Sequence, residues 1–291
     1  MKKIALFAAA LLLHGCTTPV NTAALNQPAI SASDKAKLVD ITQALPAAHQ
    51  ARYAARHPVE TLAFFGIKPG DTVIEALPGE GWYSKILVPY LGKDGHLIGA
   101  DYSLAMWPDL GAWVTSDFIA QRKAWPAQWT QDANTWGGDD GASVAAYTFA
   151  DLPADLTGKV DAVLFIRALH NLARLDAKGQ YLQQALAETH RVLKPGGVVG
   201  IVQHAMTEDK PDAWTTGERG YLKRSAIISF MTQAGFEFVA ENDINKNPKD
   251  DPQDGDSVWR LPPSLSGTDE QKAQHSLIGE SNRVTLLFKK R

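Results

Sequence analysis

Val160 to Leu169, VDAVLFIRAL, is the stretch that most narrows what this chain can become. It is a nearly unbroken apolar run of strand length. A strand with one wet face alternates apolar and polar residues; this one does not, so both its faces must be covered. That argues for a parallel sheet packed between helices. Thr72 to Leu77, TVIEAL, is a second such run, here with one acid inside it. Pro78 and Gly79 break it, Gly81 follows, and Trp82, Tyr83, Ile86, Leu87 and Tyr90 then recur at helical spacing. The order is strand, glycine turn, helix. In an open parallel sheet such a turn lies at the carboxyl end of a strand, where ligands bind. Glycine lets backbone N–H groups approach a ligand closely, and the helix start adds a partly positive end.

The alternation continues. His96 to Ala100 reads as a strand with Asp101 at its end, and a carboxylate there can accept both hydroxyls of a ribose. Ser143 to Phe149 is a third strand, followed by Asp151. Gly179 to Leu193 is an amphipathic helix that runs through RVLKPGG into a strand at Val198 to Val202. There lysine suits the helix's negative end and the glycines turn the chain back into the sheet. A helix over Lys223 to Ala234 and strands at Phe236 to Ala240 and Arg283 to Lys289 complete the pattern.

Upstream, Ser33 or Asp34 is expected to cap a helix carrying Leu38, Ile41 and Leu45. Arg52 and Arg56, four apart, read as a solvated basic face. Pro58 opens a helix that turns Leu62, Phe64 and Phe65 inward and stops at Gly66. Tyr102 to Asp140 interrupts the regular alternation. It holds Trp107, Trp113, Trp125, Trp129 and Trp136, with a helix expected around Gln121 to Gln128. It is either a satellite cluster covering the sheet or an aromatic lid for an apolar or ring-shaped substrate. Asn245 to Ser257 is acidic and turn-rich, lacks the ligand spacing of a calcium loop, and reads as solvated.

Three residues at strand exits carry chemistry. His170 follows the Val160 strand and His204 follows the Val198 strand; an imidazole there can act as a base or orient a substrate. Arg167 stands inside an apolar run, so it needs a carboxylate or a ligand, and Glu75 on the neighbouring strand is a candidate partner. The formal net charge of −3 supplies no basic field for DNA or RNA. The single cysteine, Cys16, permits neither an internal disulfide nor a cysteine-rich zinc site.

The spacing acid-x-x-x-Gly-x-Gly resembles motif I of the class I S-adenosylmethionine-dependent methyltransferases. Glu75, Gly79 and Gly81 match it, and Leu77 occupies the place of the first glycine. Asp101, the Val160 to Asn171 strand, RVLKPGG and the closing strand pair follow in the family's order, so the resemblance covers residues 56–291, with an aromatic-rich insertion at 102–140. It implies a three-layer, Rossmann-like α/β fold with a seven-stranded, mostly parallel sheet whose last strand is antiparallel. It implies S-adenosylmethionine as cofactor, bound by Glu75, Leu77, Gly79 and Gly81, with its ribose on Asp101 beside Tyr102. Asp151 would bond the adenine amine, Arg167 would help to bind the cofactor, and His170 or His204, facing the methyl group, would be the catalytic base. The acceptor would be a small molecule. The alternative is a non-catalytic ligand-binding or structural protein on a degenerate scaffold of this type.

Met1-Lys2-Lys3 and the apolar run Ile4 to Leu13 have the form of a signal peptide, too short to span a bilayer. Leu13-His14-Gly15-Cys16 resembles a bacterial lipobox; the other reading is a buried N-terminal helix with a chance cysteine. The resemblance implies a signal peptide at 1–15, lipidation of Cys16, a tether to residue 33, a helical segment at 34–55, and a place on the periplasmic face of a bacterial membrane.

Overall fold

The computed structural model describes residues 30–291, so the expected signal peptide, Cys16 and the tether up to residue 29 lie outside the described residues. Helix α1 (Ala32–Ala44) opens on a capping box: the Ser31 hydroxyl accepts from the Asp34 amide, and the Asp34 carboxylate accepts from the Ser31 amide. The cap is therefore Ser31, ahead of the expected Ser33 or Asp34, because both halves of the box close only from there. Two single-turn helices, Ala47–Gln50 and Tyr53–Arg56, lead to α2 (Pro58–Phe65), which starts on its proline and ends at Gly66 with φ 71°.

The alternating units follow as β1 (Thr72–Ala76), α3 (Ser84–Leu91), β2 (His96–Asp101), α4 (Ser116–Ala133), β3 (Ser143–Thr148), β4 (Val160–Ile166), α5 (Leu169–Gly179), α6 (Tyr181–Val192), β5 (Leu193–Met206), α7 (Arg224–Gln233), β6 (Phe236–Asn242), α8 (Asp269–Ile278) and β7 (Arg283–Lys290). The strands lie in the order β3-β2-β1-β4-β5-β7-β6, and the two-residue strand Leu222–Lys223 pairs with the end of β5. All run parallel except β7, which is antiparallel to both β5 and β6. This is the expected three-layer, mostly parallel sheet with a reversed last strand. The order turns back between β1 and β4, so the crevice where such folds bind ligands opens at the carboxyl ends of those two strands.

Each sheet face buries its own core. Ile74, Ile98, Val163, Phe165 and Ile201 pack on one face against Leu169, Leu172, Leu182, Ile227 and Met231 of α5, α6 and α7. Val73, Leu97, Ala162, Leu164 and Val202 pack on the other against Leu38, Leu62, Phe65, Ile86, Leu87 and Trp129 of α1, α2, α3 and α4. The α1 helix is thus an integral part of the second layer, with Leu38 fully buried.

Two further expectations change. Lys194 does more than suit a helix end: its Nζ lies 2.6 Å from Asp161 Oδ1, while Asp161 Oδ2 accepts from the Thr72 amide at 2.9 Å, so this pair joins β5, β4 and β1 at their amino ends. The 245–257 loop is not simply solvated. Asn245 and Asp250 are buried in it, and Asp250 accepts from Tyr221, from Arg260 and from the Asn282 amide.

Candidate active site

The bend after β1 keeps the backbone that its sequence suggests. Gly79 and Gly81 have φ 59° and 76°, and Leu77 has φ 49°. Left-handed backbone costs an L-residue roughly 1–2 kcal/mol and glycine almost nothing. Leu77 therefore holds a glycine's conformation with a side chain attached, and its amide donates to the Ala100 carbonyl at 2.7 Å, tying the bend to β2. Glu75 is buried, with Ser84 Oγ donating to its Oε2 at 2.5 Å. Burial pushes its carboxyl up to about 8, against the opposing pull of the Ser84 hydroxyl and Arg167. Glu75 is thus largely protonated at neutral pH. Its partner is Ser84, and it forms no ion pair with Arg167.

Asp101, at the end of β2, is 1% exposed. Its Oδ1 accepts from the Tyr102 amide at 2.8 Å, and its Oδ2 accepts from both Nε and Nη2 of Arg122. Burial raises the Asp101 carboxyl, and Arg122 opposes that rise without cancelling it. The Arg122 guanidinium lies over the rings of Trp107 and Trp125, 4.7 and 5.1 Å from their centroids. Trp136 comes down on Gly81 so closely that a Cβ there would lie 2.3 Å from its Cη2. A Cβ on Gly79 would meet nothing within 4 Å. The tryptophan-rich connection therefore covers β2 and β3, as a satellite cluster would, and also lies across the bend and Asp101. Within the helix expected around Gln121 to Gln128, Arg122 is an arginine among tryptophans, the one local sign of this contact.

Two hollows flank this arrangement. One of about 400 Å³ lies between the bend and the arm, lined by Gly79, Lys85, Trp125 and Trp136. The other, about 560 Å³, lies beyond the β2 exit and is lined by Tyr102, Met106, Phe149, Leu172 and Tyr181. Tyr102 is buried and donates to the Ala168 carbonyl at 2.9 Å. Asp151 is exposed and accepts from Thr148 Oγ1 at 2.7 Å, while its neighbours Ala150 and Leu152 line the larger hollow.

Arg167, His170 and His204 are brought together on the far side of β4 from Asp101. The strand ends at Ile166, Arg167 takes φ 59°, and α5 begins at Leu169, so His170 sits in a helix's first turn. Its ring lies 5.5 Å from that of His204 and 6.2 Å from that of Trp259. Burial pushes His170 down to about 4, and burial, with His170 and the Arg167 charge close by, pushes His204 well below its ordinary value. Both rings are neutral at physiological pH. His204 Nδ1 is 2.5 Å from Ser281 Oγ; His170 Nδ1 is a long 3.4 Å from Gln203 Oε1.

His204 faces Arg283 across the β5–β7 pairing. Arg283, Arg52 and Arg56 all pair with the buried carboxylate of Glu280, at 3.0, 2.6 and 3.2 Å. This corrects the solvated basic face: Arg56 is 2% exposed and stacks on Trp82, 4.6 Å from the ring centroid. The partner that buries it lies more than 200 positions away in sequence, beyond the reach of local spacing. Among the described residues, no cluster of His, Cys, Asp and Glu suits a metal ion, and no helix is long and apolar enough to cross a membrane.

Residues 75–201 match the family model described as a methyltransferase domain. The chain is similar in structure to a SAM dependent methyltransferase from Aquifex aeolicus, at 15% identity over 88% of this chain and 98% of that one, with a TM-score of 0.50. It also aligns with a geranyl diphosphate C-methyltransferase from Streptomyces coelicolor A3(2), at 18% identity over 94% and 91% of the two chains, with a TM-score of 0.49. No curated protein matches it in sequence.

Proposed function

We propose that this chain, whose residues 75–201 match the methyltransferase-domain model and whose fold is Rossmann-like, transfers a methyl group from S-adenosylmethionine to a small-molecule acceptor. One observation carries this reading. A buried carboxylate, Asp101, ends the strand beside a bend whose Leu77, Gly79 and Gly81 all hold left-handed backbone. The residues present fit a nucleoside. Asp101 would take the ribose hydroxyls, Gly79 leaves room for close backbone approach, and Tyr102 with the 149–152 turn would receive the base.

The cofactor supplies an electrophilic methyl on a sulfonium. The chain's own part is to orient the acceptor in line with that bond, exclude water and, where the acceptor carries a proton, receive it. His170 and His204 are both neutral and can accept a proton. Their depressed basicity suits orienting the acceptor better than strong general-base work.

The second reading, a non-catalytic ligand-binding or structural protein on the same scaffold, is favoured by the Arg122–Asp101 contact, which already occupies the carboxylate. Calorimetric titration with S-adenosylmethionine and S-adenosylhomocysteine decides between them. Micromolar binding that is lost in Asp101→Ala supports the enzyme, and no binding to either supports the scaffold. Export and anchoring through a lipidated Cys16 on the periplasmic face of a bacterial membrane belong to the same proposal. They are supported by the basic start, the apolar run and Leu13-His14-Gly15-Cys16. Palmitate labelling of the membrane fraction that disappears in Cys16→Ser is the expected result.

A further inference from the structure

The arginines around Glu280 outnumber what one carboxylate can neutralise. Arg52, Arg56 and Arg283 bind it directly, and the charges of Arg56 and Arg283 are felt at Arg167. Arg56 and Arg283 are 2% and 3% exposed, yet among the described residues Arg56 Nη2 and Arg283 Nε have no acceptor, and Arg167 Nε is a third buried donor without one. Leaving charged donors buried and unsatisfied is costly, and three in one place indicate an acceptor that the described residues do not supply. Their titration agrees. Burial and mutual repulsion push Arg56 down to about 10 and Arg167 down to about 9, as expected where a negative charge is missing.

Arg167 differs from the others. Its side chain makes no ion pair with Glu280, and the residue is half-buried where Arg56 and Arg283 are fully buried. It shares the edge with His170 and His204, and Trp259, 37% exposed, stands beside His170. The nucleoside-facing residues end β1 and β2; this group lies at the exits of β4 and β5 and the start of β7.

Building on the methyltransferase reading, we propose that this cluster seats an oxyanion, a carboxylate or phosphate carried by the methyl acceptor, with Arg167 as its direct ligand and Trp259 as the wall for the acceptor's body. The planar fork of an arginine matches either oxyanion. Arg56 and Arg283 supply the surrounding positive field, and Glu280 holds them in place. The two histidines then face whatever part of the acceptor lies next to the anion.

The test is titration of the full chain with inorganic phosphate and, separately, with S-adenosylhomocysteine, in the wild type, Arg167→Met and Arg167→Lys. Phosphate is expected to bind the wild type, to bind Arg167→Met about tenfold more weakly, and to recover part of that loss in Arg167→Lys. S-adenosylhomocysteine affinity should change by less than about twofold. In phosphate-free buffer Arg167→Met should melt at or above the wild-type temperature, since it relieves repulsion, and phosphate should raise it less than it raises the wild type. Equal phosphate affinity in wild type and Arg167→Met overturns the proposal. So does a parallel loss of S-adenosylhomocysteine affinity, which would assign the arginines to the cofactor's own carboxylate. A wild type that binds phosphate but no S-adenosylhomocysteine would refute the methyltransferase reading and leave the oxyanion site standing.

Discussion

Arg122 directs two donors, Nε and Nη2, at a single oxygen of Asp101, Oδ2. The other oxygen keeps only the neighbouring Tyr102 amide. A guanidinium from the tryptophan-rich arm thus holds the carboxylate that a ribose would need. Charge-assisted hydrogen bonds are among the stronger ones, at roughly 1.5–3 kcal/mol net. Arg122→Ala should therefore tighten S-adenosylhomocysteine binding by about tenfold, measured by calorimetry, while Asp101→Ala should abolish it. Weaker binding in Arg122→Ala would mean that the arginine helps to hold the ligand.

Glu75 gives the fold a pH signature. Its carboxyl rises from an ordinary value of 4.5 to about 8 on folding, so its contribution is greatest below 4.5 and is lost as pH rises towards 8. The slope is about 1.4 kcal/mol per pH unit between those limits. The histidines act in the opposite sense. Their folded values lie below 6.5, so they favour the fold above that pH and weaken it as pH falls towards 4. Denaturant melts of wild type and Glu75→Gln from pH 5 to 9 should show the variant losing the alkaline decline and keeping the acid one.

Leu77 offers a clean test of backbone strain. Leu77→Ala keeps the φ of 49° and loses the side-chain packing; Leu77→Gly loses the same packing and relieves the strain. The glycine variant should be the more stable of the two by about 1 kcal/mol. An alanine variant of equal or greater stability would show that the bend relaxes freely.

The two glycines of the bend should respond differently to the same change. Both have positive φ, so each alanine pays the backbone cost, but only at Gly81 does a methyl meet the Trp136 ring. Gly79→Ala should cost about 1 kcal/mol and Gly81→Ala clearly more. Adding Trp136→Ala should recover the difference in the Gly81 background only, a coupling that a double-mutant cycle measures.

Glu280 is the counter-charge for a buried cluster, and three arginines hold its carboxyl below the usual range although burial alone would raise it. Glu280→Gln should cost about 3 kcal/mol by denaturant unfolding, as removal of one partner from a buried ion pair does. Phosphate should restore part of the loss.

The strands and the order of the elements were legible because their signals are local. The unbroken apolar run at Val160, the glycine bend and RVLKPGG each declare themselves within a dozen residues, and the sheet follows from their sequence. What sequence could not show were partners distant along the chain. Arg56 looks solvated until Glu280 is placed beside it. Arg122 looks like helix surface until Asp101 and two tryptophan rings close on it. Arg167 needs a partner, yet Glu75 bonds Ser84 and leaves it without one among the described residues. His170 and His204 were singled out one strand at a time; the pairing of β4 with β5 is what makes them neighbours.

Arg52 and Arg56 reach Glu280, and Arg283 reaches back to the Ala55 carbonyl at 2.6 Å, so the short helices before α2 and the first residue of β7 form one seam. Removing the segment before residue 57 would act as a lesion at the opposite terminus: it would strip two cations from Glu280 and free Arg283 from its backbone anchor, and β7 would fray from the residue at which it begins to bind β5.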